Sequence, residues 1–143
     1  MKSSVERECY RLVQVIAVTK YPSCVRCGEP STCGHHIFSR RNNATAFDPD
    51  AVLGMCAECH AWAHSYPGAW LRLAQAIVGI QEYNRLAKKS MEVCRYRAAD
   101  FREIRQRLRE ELKGAENLNG NKIPGTEKLR QVWFGEHLLG NIQ

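Results

Sequence analysis

Residues 24–42, CVRCGEPSTCGHHIFSRRN, and residues 47–64, FDPDAVLGMCAECHAWAH, decide how this chain folds. Cys24-Val25-Arg26-Cys27 and Cys56-Ala57-Glu58-Cys59 are two CxxC knuckles separated by 28 residues. Two intervening residues let both thiolates of a knuckle turn toward one ion, and a second knuckle completes a tetrahedron. Cys24, Cys27, Cys56 and Cys59 are therefore expected to hold one structural Zn²⁺. The competing readings are four reduced cysteines without metal, or a redox pair, which would need a βαβ setting that the residues around Cys24 do not offer. Cys9, Cys33 and Cys94 lack paired spacing and read as small buried hydrophobes.

Zinc on four thiolates is coordinatively closed, so it holds loops together without activating water. Chemistry then falls to the histidines. His35, His36, His60 and His64 lie within or beside the zinc-tied stretch, and only His137 lies elsewhere. His60 and His64, spaced i, i+4, emerge on one face of a helix and can approach one cation. His35 and His36 are neighbours, and on a strand they point to opposite faces, one toward a metal and one toward a substrate. Phosphodiester hydrolysis needs that division: a cation against the phosphate and a neutral imidazole to take a proton from water. The bland alternative is a set of surface histidines beside a zinc ribbon.

Outward from this centre, 143 residues suit one domain with a real core, and 44% hydrophobic with 25% charged content is ordinary for a folded protein. Seven cysteines without a secretion signal argue for metal rather than disulfides. The apolar run Leu12–Val18 follows Glu6, Arg7 and Glu8 and has no cleavage site after it, so a cytoplasmic protein without a membrane anchor is expected. A net charge of +6 favours a polyanionic partner.

Val5, Cys9, Leu12, Val13 and Ile16 predict an amphipathic helix over 4–20, ended by Tyr21-Pro22. Short apolar runs at His36-Ile37-Phe38 and Val52-Leu53 predict a small hairpin, with a helix from Glu58 to about His64. Residues 69–89 read as one or two helices interrupted near Gly79. Phe101, Ile104, Leu108 and Leu112 mark a further helix over 98–113, with Gly114 as its stop. Trp62 and Trp70 read as core. In the tail, 115–143, Trp133-Phe134 anchors the segment on the core or on another subunit, or the tail is partly disordered.

In the quoted stretches the chain resembles the HNH (His-Me finger) endonucleases, especially small phage-encoded members with a knuckle on each side of the histidine pair, some of them recombination nucleases. The resemblance covers residues 22–66. It implies an α+β fold: a zinc-stapled ββα-metal finger embedded between helices, in a single nuclease domain over 1–114. Residue by residue, it implies His36 as the general base, His35 and His60 as ligands of a catalytic Mg²⁺ or Mn²⁺, and His64 as an additional group for metal or phosphate. The implied substrate is DNA, with branched recombination intermediates suggested by analogy alone, and the implied location of a phage-encoded member is the host-cell cytoplasm. The chain departs from the family at Ala51, where the pattern has an Asn that braces the loop; Asp50, Asn42 or Asn43 would have to substitute.

Arg40 and Arg41, soon after the histidine pair, suit a phosphate clamp, since guanidinium matches phosphate geometry bidentately. Between Arg85 and Lys113 there are ten Lys or Arg against five Asp or Glu. Arg102, Arg105 and Arg109 are therefore expected to form a second DNA-contacting surface, the alternative being a solvated helix face. Two other functions stay open: a zinc-ribbon DNA-binding module without catalysis, favoured by Ala51, and an interaction protein that binds a protein partner or a second copy through its tail.

Overall fold

The computed structural model describes residues 2–119. Ser3 caps the first helix, its hydroxyl accepting from the Glu6 amide at 3.1 Å, and α1 runs over Ser4–Lys20. The expected amphipathic pattern holds only for its first half, because every residue from Leu12 to Thr19 is buried. The reason is its position, wedged between a β-hairpin on one side and the last described helix, over Ala98–Asn119, on the other.

The hairpin pairs β1 (Cys33–His36) antiparallel to β2 (Val52–Met55), with Cys33 opposite Met55, Gly34 opposite Gly54, His35 opposite Leu53 and His36 opposite Val52. The strand begins ahead of the Ile37-Phe38 run that predicts it, and the Ile37 amide extends the ladder to the Ala51 carbonyl at 2.8 Å. The two-residue alternation makes the hairpin a partition between two cores. On one side Val52 packs with Cys9, Leu12, Ile16, Ala46, Phe47, Ile104 and Leu108. On the other, Leu53 and Met55 pack with Cys24, Cys59, Ala63, Trp70, Ala74 and Leu86. Gly34 and Gly54 let α1 approach at backbone distance: a Cβ on Gly54 would lie 2.7 Å from the Tyr21 carbonyl, and one on Gly34 would lie 2.9 Å from the Ala17 Cβ.

Between the strands lie the short helix α2 (Asn43–Ala46) and a 3₁₀ turn at Pro49–Ala51. After them come α3 (Ala57–Ser65), α4 (Pro67–Val78) and α5 (Ile80–Ser90), the last two meeting at Gly79, whose φ of 86° suits glycine. Helix α6 (Ala98–Asn119) lays Ile104 and Leu108 against α1, as its apolar stripe predicts. It does not stop at Gly114. Ala115, on the stripe of Leu108 and Leu112, is buried, and packing outweighs the cost of about 1 kcal/mol for glycine in a helix. The predicted boundary at 114/115 thus falls inside a helix. Trp133, Phe134 and His137 lie outside the described residues. Among the described residues this is an α+β arrangement of six α-helices and a two-stranded sheet, and no helix is long and apolar enough to cross a membrane.

Candidate functional site

The two knuckles come together as the spacing requires. The first is a tight turn, with the Gly28 amide donating to the Cys24 carbonyl at 3.0 Å and Gly28 at φ 82°. The Val25 amide ties this turn to Gly54 of β2 at 3.1 Å. The second knuckle opens α3, with the Cys56 sulfur accepting from the Cys59 amide at 3.4 Å. The four sulfurs lie within 4.8 Å of one another. Tetrahedral Zn–S bonds of about 2.3 Å put sulfurs about 3.8 Å apart, and Cys27 and Cys56 are separated by 3.6 Å. Burial pushes the Cys24 thiol up, but hydrogen bonds from the backbone of Cys27, Cys56 and Arg26 outweigh it and bring it down to about 7. Burial drives Cys59 up to about 12. The cluster can bind a zinc ion, and binding would displace the Cys59 proton.

His35 leaves β1 toward the zinc-side core, and α3 brings His60 and His64 to meet it. Their rings are 4.6–4.7 Å apart by centroid, and one nitrogen of each falls within 4.8 Å of the others. Burial first, then the neighbouring His60 and His64, pushes His35 down to about 2. Burial and His64 push His60 down to about 3, and burial and Arg40 lower His64. All three are therefore neutral near pH 7, with lone pairs available. The buried Nδ1 of His60 has no hydrogen-bond partner, which is how a ligand nitrogen presents itself to a cation. The residues fit a cation, and the donor set, three imidazoles without a carboxylate, suits Zn²⁺, Ni²⁺ or Co²⁺ better than Mg²⁺.

His36 takes the opposite face of the strand. Its Nε2 lies 3.0 Å from the Ala46 carbonyl. A carbonyl only accepts, so this bond sets the Nε2–H tautomer and leaves the Nδ1 lone pair for other work. Burial pushes His36 down to about 4, against the Ala46 bond, which favours the charged form. All four histidines line one cavity of about 850 Å³, with Arg40 and Arg41 on its wall.

The other predicted residues fall elsewhere. Arg105 and Arg109 reach across to Glu8 of α1, at 3.2 and 2.5 Å, which gives them a role in holding α6 to α1. Arg102 is exposed on α6, and none of the three lines the cavity. Of the candidates to replace the missing Asn at 51, Asp50 is engaged by Lys20 and Arg85 on the surface, whereas Asn43 donates to the Cys94 carbonyl at 3.0 Å. Trp70 is core, as expected, and its ring also stands perpendicular to His35 at 4.6 Å. Sequence reasoning missed the cavity wall formed by Glu6, Tyr10 and Gln14 of α1 and by Lys2 just ahead of the helix. Their spacing of four was the available signal. It also missed Arg26, which covers the Trp62 ring at 4.0 Å and donates to the Cys59 sulfur at 3.5 Å.

No protein-family model matches the chain, and neither a curated protein nor a solved structure matches it.

Proposed function

We propose that this protein is an HNH-type endonuclease, hydrolysing DNA phosphodiester bonds at a ββα-metal finger made of β1, β2 and α3. One observation carries the reading: His35, His60 and His64 converge as neutral imidazoles while His36, on the other face of the same strand, opens into the same cavity beside Arg40 and Arg41. His35, His60 and His64 would hold a divalent cation, which supplies charge stabilisation to a phosphate when bound. His36, kept neutral by burial and held through Nε2–H, accepts a proton from water at Nδ1. Arg40 and Arg41 bind the phosphates flanking the scissile bond. The thiolate site, being closed, only ties the start of α3 to β2 and so fixes His60.

The test is cleavage of labelled duplex, single-stranded, flap and four-way-junction DNA, with RNA as a further arm, in Mg²⁺, Mn²⁺, Ni²⁺ and Zn²⁺. His36→Ala should lose about 10²–10⁴ of the rate and keep DNA binding, with no cation restoring it. His60→Ala should recover partly as Mn²⁺ is raised. His36→Ala cutting as fast as wild type, in a preparation free of contaminating nuclease, would overturn the reading. Ala51, fully buried and without a polar side chain, favours a second one, a zinc module that binds DNA without cutting it; binding with no cleavage in any cation would establish that account.

A further inference from the structure

The hydrogen bond that orients His36 is only as firm as the Ala46 carbonyl that accepts it. That carbonyl closes α2, a single turn in the segment between the two strands, where backbone bonds such as Thr45 to Asn42 (3.0 Å) and Asp48 to Thr45 (3.2 Å) are short-range. Ala51 adds only its backbone, its carbonyl accepting from the Ile37 amide at 2.8 Å and its amide donating to the Asp48 carbonyl at 3.0 Å. The firm contacts come from far along the chain. Arg107 of α6 donates through Nη2 to the Phe47 carbonyl at 3.1 Å, one peptide beyond Ala46. The Tyr96 hydroxyl donates to the Asn43 carbonyl at 3.0 Å, and the Asn43 amide donates back to the Cys94 carbonyl at 3.0 Å. Lys89 of α5 pairs at 2.6 Å with Asp48, whose other oxygen accepts from the Asp50 amide. The Phe47 ring is enclosed by Tyr10, Tyr96 and Phe101. None of Lys89, Tyr96 and Arg107 lines the cavity.

We infer that Arg107, with Tyr96 and Lys89, is a positioning residue for His36. These side chains clamp the α2 segment on both sides of Ala46, and so hold the carbonyl that keeps His36 in the Nε2–H tautomer. The inference rests on the proposed role of His36, but its structural half is measurable without any activity.

In the full chain loaded with zinc, long-range ¹H–¹⁵N spectra of the imidazoles at pH 7.5 should show His36 as one tautomer, with the proton on Nε2. Arg107→Gln and the milder Tyr96→Phe, which removes a single hydroxyl, should shift His36 toward a mixture, and Arg107→Lys should restore it in part. In the cleavage assay the same variants should lower kcat about tenfold, the scale of one lost hydrogen bond, with KM within about twofold. Leu108→Val is the control for mere loosening of α6: it should lower stability and leave the tautomer and kcat unchanged. A shifted tautomer in a protein that cuts nothing would support the positioning role while the nuclease reading fails. A His36 tautomer unmoved in both Arg107→Gln and Tyr96→Phe, with each variant folded, would overturn the inference whatever the activity.

Discussion

Gly54→Ala and Gly114→Ala should move stability in opposite directions, although both add one methyl group. At position 54 the new Cβ would meet the Tyr21 Cβ and the Tyr21 carbonyl at 2.7 Å each and the Ala17 carbonyl at 3.0 Å. Two of those atoms are backbone, so α1 or β2 must move, and the expected cost is about 2–3 kcal/mol. At position 34 the obstacles are side chains, Val52 Cγ1 at 2.7 Å, Ala17 Cβ at 2.9 Å and Gln14 Oε1 at 3.1 Å. They can give more, and Gly34→Ala should cost about 1–2 kcal/mol. At 114 nothing lies within 4 Å and the backbone is helical. Gly114→Ala should therefore stabilise by about 0.5–1 kcal/mol, by removing unfolded-state freedom. Urea unfolding of the zinc-loaded proteins, followed by tryptophan fluorescence and circular dichroism, gives the three values. Gly54→Ala within about 0.5 kcal/mol of wild type would refute the close approach of α1 to the hairpin, since ordinary surface substitutions fall in that range.

Three further outcomes are expected. One zinc per chain should copurify with the protein, and Cys56→Ser should lose it and most of the cooperative unfolding transition; metal analysis that finds none, or a variant as stable as wild type, would remove the zinc site. His35 and His60 titrate near 2 and 3 when folded, against an ordinary 6.5, so unfolding takes up protons as pH falls below about 6.5. Stability should be complete above that value and drop by up to about 1.4 kcal/mol per pH unit for each group below it; equal urea midpoints at pH 7.5 and 5.5, with zinc content checked at both, would contradict their burial as neutral groups. Arg40→Ala and Arg41→Ala should each lower the slope of log affinity for DNA against log salt by about 1, whereas Arg105→Ala and Arg109→Ala, by releasing Glu8, should cost stability by less than about 1 kcal/mol each and leave the slope alone; the opposite assignment of effects would place the DNA on α6.

The zinc knuckles, the histidine pairs and the helix at 57–65 were legible in the sequence because each depends on local spacing, two residues for a knuckle, four for a helix face and two for a strand. The same holds for the break at Gly79, where the backbone itself needs glycine. What was illegible depends on what packs against what. The second half of α1 is apolar on nearly every face, from Leu12 to Val18, and an amphipathic reading of the whole helix passes over it; the hairpin and α6 cover it from both sides. Gly114 carries the local signal of a helix end, and the burial of Ala115 overrides it. The basic residues of α6 look equivalent, and only the position of Glu8, about 100 residues earlier in the chain, separates Arg105 and Arg109 from Arg102.

Placing His35 and His36 on opposite faces of a partition has a consequence for how the protein is made. At about 5–20 residues per second, a ribosome completes both knuckles and all four histidines roughly 2–9 s before it adds Arg107. By then the four thiolates of the zinc cluster have been made. The other face of β1 has no α6 to close it, and the Ala46 carbonyl lacks the guanidinium that steadies its neighbour. An unfinished chain would thus have the four thiolates in place before the proposed base is steadied, which on this reading waits for α6 to dock.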